Sequence, residues 1–232
     1  MNRQDGINLL LLALALSGCS GAPVKETPSS ESILGRQSPI VEELVPATEE
    51  VKAKDTIAHL VKTQHKSLDL QVLAYYGEKI TGQDLLALKS PDARNVTKLN
   101  LTGLKLNDID IEPIAELPLR EITLNQTNVE DLHALKNMKT LIVISAEDTK
   151  IGTEGLKVLG SLPELTDIAI GRTPLKDEDL ESLYKLQKLR VLDLGGCNNI
   201  SQSAIQAFRQ RMPKVVVSQS AAPDLVEKRY FD

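Results

Sequence analysis

The sequence of 232 residues is poor in the side chains from which most catalytic and metal sites are built. It contains no Trp, two Phe, four Tyr, two Cys and three His. So few aromatic residues argue against stacking platforms for bases or sugars, and the core must consist of Leu, Ile, Val and Ala. His59, His65 and His133 lack the spacing of metal ligands. We therefore expect no metal and no cofactor.

Concentrated positive charge is also missing. The formal net charge is −5 at neutral pH, and Lys and Arg are scattered along the chain without a basic run. A nucleic-acid-binding domain normally carries a basic patch that neutralises phosphates. We expect no nucleic-acid partner, and the 41% hydrophobic and 25% charged residues are typical of a soluble globular domain.

The N-terminus has the pattern of a targeting segment. Residues 1–18 contain an apolar run from Leu9 to Leu16, which is shorter than the roughly 20 residues needed to span a bilayer but suits a signal-peptide core. The run ends in the letters LSGC, and this stretch resembles the lipobox of bacterial lipoproteins. A turn of small residues, or cleavage by an ordinary signal peptidase, is the alternative.

The lipobox resemblance implies a lipid anchor on Cys19. In that family the cysteine thiol is diacylglycerated, the signal peptide is cut before the cysteine, and the new amino terminus is acylated, for example with palmitate. Several acyl chains hold a protein at a membrane more firmly than one. The family's sorting rule reads Ser20 as a signal for the outer membrane of a Gram-negative cell. We expect a lipid-anchored protein of the bacterial cell envelope, attached to the membrane through Cys19.

The residues after Cys19 lack the pattern of a folded domain. Residues 19–54 are rich in Ser, Pro, Glu and Thr and show no apolar periodicity, which predicts a lipidated N-terminus followed by a disordered, flexible tether. Residues 55–95 begin with a ragged apolar stripe at helical spacing. They are interpreted as an N-terminal cap and a possible first repeat.

A repeat of 22 to 24 residues occupies the rest of the chain. Each copy begins with an apolar residue, followed by apolar residues three and five later, a small or polar residue at the ninth place and another apolar residue soon after. The copies begin at Val96, Leu119, Leu141, Leu165 and Leu189. A further copy is proposed to begin at Leu70. The constant period indicates stacked units that bury a shared core.

Each unit combines a short strand with a helical segment. The alternating apolar residues predict the strand, and leucines three residues apart predict a helical stripe in the second half. The residues at or beside the expected helix starts are Thr81, Thr153, Asp177 and Ser201. The motifs LRVLDLGGCNNISQSAIQAF, LTDIAIGRTPLKDEDLESLYKL and LIVISAEDTKIGTEGLKVLGSL resemble leucine-rich repeats of the ribonuclease-inhibitor-like and cysteine-containing types.

The resemblance implies an α/β leucine-rich-repeat solenoid. Its parallel sheet would be curved and line the concave side, with helices on the convex side, over residues 96–217. A C-terminal tail of residues 218–232 would follow.

The family implies protein or peptide binding on the concave face. The outward strand positions chosen as candidates are Lys98, Asn100, Glu121, Thr123, Asn125, Ser145, Glu147, Asp167 and Asp193. The alternative is that these are solvated sheet positions without a ligand. No Ser/His/Asp order, glycine-rich phosphate loop or Cys/His cluster suggests catalysis. The alternatives to a binding module are a cell-wall-associated enzyme or remodelling accessory scaffolded by the repeats, and a structural envelope component.

Cys197 occupies the ninth place of its repeat. The same place is filled by Thr127, Thr149 and Thr173 in the three preceding repeats, and by Leu104 in the first. A small buried side chain suffices there, and cysteine is a common inert core residue. We expect Cys197 to serve packing rather than chemistry, with no disulfide framework in the protein.

Overall fold

The computed structural model describes residues 53–64, 66–71, 73 and 79–219. The signal peptide, Cys19, nearly all of the tether and the tail from residue 220 onwards lie outside the described residues. Their assignments therefore stay predictions. Within the described residues, no helix is long and apolar enough to cross a membrane.

Seven short strands in the described residues form one parallel sheet. Every strand pairs with the next one along the chain, so the spatial order is the sequence order. The strands are β1 Ser67–Asp69, β2 Lys98–Asn100, β3 Glu121–Thr123, β4 Val143–Ser145, β5 Asp167–Ala169, β6 Val191–Asp193 and β7 Val216–Ser218. The predicted α/β leucine-rich-repeat solenoid is confirmed.

The helical segments are shorter and more varied than the sequence predicted. The α-helices are α1 Ala53–Gln64, α2 Gly82–Leu85, α3 Thr153–Leu159 and α4 Gln202–Arg211, and the 3-10 segments are Leu86–Lys89, Pro91–Asn95, Glu112–Ile114, His133–Leu135 and Asp177–Lys185. A spacing of three residues fits the three-residue turn of a 3-10 helix as well as an α-helix. The leucine stripe therefore located the helical segments without specifying their type.

Two of the four expected helix starts are true N-caps. Thr81 precedes α2, and Ser201 precedes α4, where its Oγ accepts a hydrogen bond from the Ala204 N–H at 3.1 Å. The residues before Thr153 and Asp177 take the cap position, so these two are the first helical residues.

The core is a stack of aliphatic side chains, one layer from each repeat. The central residue of every strand is buried, namely Leu68, Leu99, Ile122, Ile144, Ile168, Leu192 and Val217. Each such side chain contributes about 1.5–3 kcal/mol by leaving water. Because the two neighbouring repeats supply the walls of each layer, no repeat buries its own stripe alone.

The first repeat is present but displaced from its predicted register. Strand β1 spans Ser67–Asp69 and pairs with β2, with Leu68 opposite Leu99. The alignment that starts at Leu70 is therefore wrong by five residues, since a start at residue 65 brings Leu68, Leu70 and Leu73 to buried positions. The reason is the unusual length of this unit, which holds α2 and two 3-10 segments before β2.

Candidate functional site

The candidate residues of the concave face lie in rows across the parallel strands. The first row contains Lys98, Glu121, Val143, Asp167 and Val191, and the second contains Asn100, Thr123, Ser145, Ala169 and Asp193. Backbone hydrogen bonds continue beyond the strand ends, as from the Gly103 N–H to the Asn125 carbonyl at 2.9 Å. These hydrogen bonds extend the sheet by a third row of positions, two residues after the second row, and Asn125 and Glu147 belong to it.

The C-terminal part of this face is less accessible than expected. Ser145, Asp167 and Asp193 are only 6%, 7% and 5% exposed, although solvent-facing charges and polar groups were predicted there. Their polar atoms have local partners. The Ser145 hydroxyl donates to Asn125 Oδ1 at 2.8 Å, and Thr166 donates its hydroxyl proton to the Asp167 carboxylate. The other six candidates are partly exposed and remain directly reachable by a partner.

Several of the polar candidates support the backbone. Asn100 Oδ1 accepts a hydrogen bond from the Thr102 N–H at 3.0 Å, and Asp193 Oδ1 accepts one from the Gly195 N–H at 2.8 Å. Asp69 makes the same contact with the residue two positions later. These side chains satisfy backbone donors just beyond the strand ends. The same contact recurs at Asp69, Asn100 and Asp193, so substitution of these residues affects folding as well as any binding.

Lys98 and Glu121 form an ion pair across the first row. Lys98 Nζ lies 2.8 Å from Glu121 Oε2, with 39% and 23% of the two side chains exposed. Such partly exposed pairs add little to stability because water screens them. Both groups are therefore available to exchange their mutual contact for one with a partner.

Arg172 connects the sheet face to the loops that follow the strands. Its guanidinium Nη2 lies 2.9 Å from Glu147 Oε2, and its Nε lies 2.8 Å from Asp148 Oδ2. Burial raises the pKa of Glu147, Arg172 opposes this rise, and the charge of Asp193 adds to it. Burial also raises the pKa of Asp193. Glu147, Asp193 and Arg172 thus form one electrostatic cluster.

The loop residue after each third-row position adopts a left-handed backbone conformation. The φ angles are 76° at Gly103, 59° at Gln126, 54° at Asp148, 55° at Arg172 and 76° at Gly196. This region costs a non-glycine residue about 1–2 kcal/mol. Gly103 and Gly196 indicate such a turn in the sequence, because glycine favours this conformation. Gln126, Asp148 and Arg172 give no such indication.

The ninth-place column is buried and hydrogen-bonded. The hydroxyls of Thr127, Thr149 and Thr173 each donate to the carbonyl three residues earlier, at 2.7, 2.8 and 2.7 Å. The Cys197 thiol donates to the Ile170 carbonyl at 3.2 Å and lies 3.4 Å from Thr173 Oγ1. This environment agrees with the interpretation of Cys197 as a packing residue.

A cavity that the sequence did not predict lies beside Arg172. Its volume is about 520 Å³, it is open to solvent, and it is lined by Thr149, Lys150, Arg172, Thr173, Pro174, Gly196, Asn198 and Asn199. These residues come from the loops of three successive repeats. They meet only because the repeats stack in register.

Among the described residues there is no metal-binding cluster, and Asp167 and Asp193 do not lie opposite each other. Among them, no group of three or more His, Cys, Asp or Glu side chains is arranged to hold a metal ion. Asp167 and Asp193 lie in different rows, opposite Val191 and Ala169 respectively. The expected absence of a metal, a cofactor and catalysis stays a prediction.

The similarity of the chain to known proteins is limited. No family profile matches it. Over 82 residues, or 35% of the chain, it is 32% identical to a putative adenylate cyclase regulatory protein of Trypanosoma equiperdum. The chain covers only 13% of that protein's length.

Two solved structures of internalins from Listeria monocytogenes resemble the fold. One is 24% identical with a TM-score of 0.48, covering 60% of this chain and 37% of the internalin. The other, an internalin C2, is 20% identical with a TM-score of 0.45, covering 58% and 55% of the two chains. These likenesses are too distant for a functional conclusion. The register of the seven strands establishes the fold by itself.

Proposed function

We propose that this protein is a lipid-anchored binding module of the bacterial cell envelope, without catalysis of its own. It recognises a protein or peptide through the face of its sheet. The observation that carries this proposal is the alignment of reachable polar side chains in rows across adjacent strands, with the Arg172 cluster and an open cavity at one end.

The dimensions favour a partner that contacts more than the strands. Seven strands spaced about 4.8 Å apart, each presenting roughly 10 Å, offer a face of about 300 Å². A stable protein interface needs about 800 Å² on each partner. The partner must therefore be an extended peptide, or a protein that also contacts the loops around Arg172 and the cavity.

Site-specific crosslinking tests which face is used. A photo-reactive amino acid at Thr123, in the second row, is compared with one at Glu181, an exposed residue of the Asp177–Lys185 segment. We expect the Thr123 position to capture a defined protein in the native cell and the Glu181 position not to. Capture from both positions alike, or from neither, would contradict recognition by the sheet face.

Charge reversal then measures the contribution of this face to affinity. Glu121→Lys replaces a reachable carboxylate by a cation of similar reach, and it leaves Lys98 facing a like charge. We expect it to weaken binding of the captured protein, whereas Glu181→Lys should leave binding unchanged. Unaltered affinity for both variants would place the interface elsewhere.

The lipid anchor has an independent test. Mass spectrometry of the mature N-terminus should find acyl chains on Cys19, and Cys19→Ser should release the protein from the membrane fraction. An unmodified N-terminus would refute the anchor while leaving recognition by the sheet face intact.

One observation favours an envelope enzyme as the second candidate. Burial raises the pKa values of Glu147 and Asp193, the charge of Asp193 adds to the rise at Glu147, and Glu147 contacts Arg172, which lines the cavity. Carboxylates with perturbed pKa values near a cavity are typical of active sites. Turnover of peptidoglycan fragments that Asp193→Asn abolishes would support this function. The substitution is suitable because an Asn oxygen still accepts the Gly195 N–H.

A further inference from the structure

The fold collects positive charge along one edge of the solenoid. We call this edge the basic rim and define it by Lys66 and the turns that precede the later strands, residues 89–97, 115–120, 136–142, 160–166, 185–190 and 211–215. It contains eleven Lys and Arg residues and three acidic residues. The cations are Lys66, Lys89, Arg94, Arg120, Lys136, Lys139, Lys185, Lys188, Arg190, Arg211 and Lys214, and all eleven are exposed.

Backbone hydrogen bonds place these turns side by side. The Thr97 N–H donates to the Lys66 carbonyl at 2.8 Å, and the Arg120 N–H donates to the Thr97 carbonyl at 2.7 Å. The same contact recurs in the following repeats up to the Arg190 N–H. Residues that look scattered in the sequence therefore meet at one edge, which corrects the impression of dispersed charge.

The opposite edge of the solenoid, which we call the opposite rim, has a net negative charge. The turns that follow the strands, residues 101–111, 124–132, 146–152, 170–176 and 194–201, contain six acidic and four basic residues. The domain is therefore polarised, and its negative net charge conceals a strongly positive edge.

Internal contacts account for little of this charge. Among the described residues, Lys188 is the one rim cation that forms an ion pair, with Glu164 at 2.6 Å. Arg211 stacks over the Tyr184 ring at 4.3 Å. Helix dipoles stabilise cations only within the last helical turn, whereas Arg120, Lys139, Arg190 and Lys214 lie beyond the helix ends. The rim thus has free charge that the fold itself does not need.

We propose that the basic rim binds the anionic headgroup surface of a membrane. Successive strands are about 4.8 Å apart, so the rim presents a row of cations about 30 Å long, which suits a planar array of phosphates. Each cation within a Debye length of such a surface contributes to attraction. A rim held at the membrane turns the cavity and the Arg172 loops at the opposite edge away from it, where a partner can reach them.

The predicted tether is compatible with this orientation. The 34 residues from Cys19 to Lys52, treated as a flexible coil, span roughly 30–35 Å. The domain then stays close enough to the membrane for weak rim contacts to form repeatedly. This part of the argument rests on the proposed lipid anchor, but the affinity of the rim does not.

The test measures vesicle binding without the acyl chains. The mature chain, residues 19–232 with Cys19→Ser, is co-sedimented with vesicles of phosphatidylcholine alone and of phosphatidylcholine containing phosphatidylglycerol, because the apolar run of residues 9–16 would itself bind lipid. In this background, the rim variant Lys185→Gln, Arg190→Gln, Lys214→Gln is compared with the opposite-rim variant Lys105→Gln, Lys150→Gln, Lys176→Gln. Both sets remove three exposed positive charges from opposite edges of the sheet. Lys150 also pairs with Glu130 at 3.6 Å, but both side chains are at least 60% exposed, so this pair contributes little to stability.

We expect binding to the anionic vesicles, weakening with added salt, and little binding to phosphatidylcholine. The rim variant should bind at least about tenfold more weakly, since each cation near an anionic surface contributes about fivefold in affinity. The opposite-rim variant should stay within about twofold, because its charges lie at the edge that faces away from the surface and screening weakens attraction with distance.

Three results would overturn the proposal. They are equal losses for the two triple variants, equal binding to both vesicle types, and tighter binding of a short DNA duplex than of the anionic vesicles. If the triple rim variant melts earlier than the parent, Lys185→Gln and Lys214→Gln are tested singly. If both single variants bind the anionic vesicles as tightly as the parent, the proposal is equally overturned.

Discussion

Removing Arg172 is the most direct test of the cluster beside the cavity. The side chains of Arg172 and Asp148 are each 39% exposed, so their ion pair contributes under about 1 kcal/mol. The Glu147 side chain is only 18% exposed and loses a charge-assisted hydrogen bond worth about 1.5–3 kcal/mol before solvent screening. We expect Arg172→Ala to lower the free energy of unfolding by about 2 kcal/mol near neutral pH.

The destabilisation caused by Arg172→Ala should depend on pH, and the pKa of Glu147 gives the direction of this dependence. Burial raises the pKa of Glu147 above 4.5, and Arg172 opposes that rise. A carboxyl with a raised folded pKa destabilises the fold while ionised, and this penalty disappears as the pH falls through the folded pKa. Without Arg172 the penalty at neutral pH is larger. The difference in stability between wild type and Arg172→Ala should therefore shrink as the pH falls toward 4.5.

Urea denaturation at several pH values measures this difference. Far-ultraviolet circular dichroism is the suitable probe because the protein contains no Trp. Lys157→Ala is the control, since Lys157 pairs with Glu154 at 2.7 Å with both side chains more than half exposed, and it should cost below about 0.5 kcal/mol. A difference for Arg172→Ala that stays constant or grows in acid would refute the reasoning.

Three further predictions concern the stacking of the repeats. Gly171→Ala places a Cβ 2.6 Å from the Gly195 carbonyl oxygen and should cost about 1–3 kcal/mol in urea denaturation, whereas Gly152→Ala, with open space around it, should change stability by less than about 0.5 kcal/mol. Cys197→Thr should cost less than about 1.5 kcal/mol and preserve the melting profile, since threonine fills that place in three other repeats; a larger loss would argue for a special role of the thiol. Ser201 donates two hydrogen bonds that lower the pKa of Asp177, so Asp177→Ala should melt earlier than wild type at neutral pH. That difference should vanish as the pH falls below 3.8, because a carboxyl with a lowered pKa loses its contribution on protonation; a difference that persists in acid would contradict this.

Much of the fold could be predicted from the sequence because its signals are local. In the five repeats from Val96 onwards, the strands lie at the predicted positions. The reason is that the polarity of each strand residue indicates whether its side chain faces the core. The prediction failed at the first repeat, where extra residues before β2 disturb the period and move the strand to Ser67–Asp69. The type of helix also escaped prediction at Asp177–Lys185, where leucines three apart fit both helical forms.

The candidate site was predictable in position but not in accessibility. The register brought Lys98, Glu121 and the other candidates onto one face, as their two-residue alternation required. The burial of Asp167 and Asp193 did not follow from alternation, because it depends on what packs around each carboxylate. Whether any candidate binds a partner stays a prediction.

By itself, the sequence determined the repeat, the core stripe and the small ninth-place column that contains Cys197. Each of these follows from the polarity and size of one residue and its near neighbours. Only the tertiary structure decided that Arg172 joins Glu147 to Asp148, that the loops of three repeats enclose a cavity, and that cations far apart in sequence form the basic rim. These features arise between repeats, and their physical cause is the fixed register in which one repeat stacks on the next.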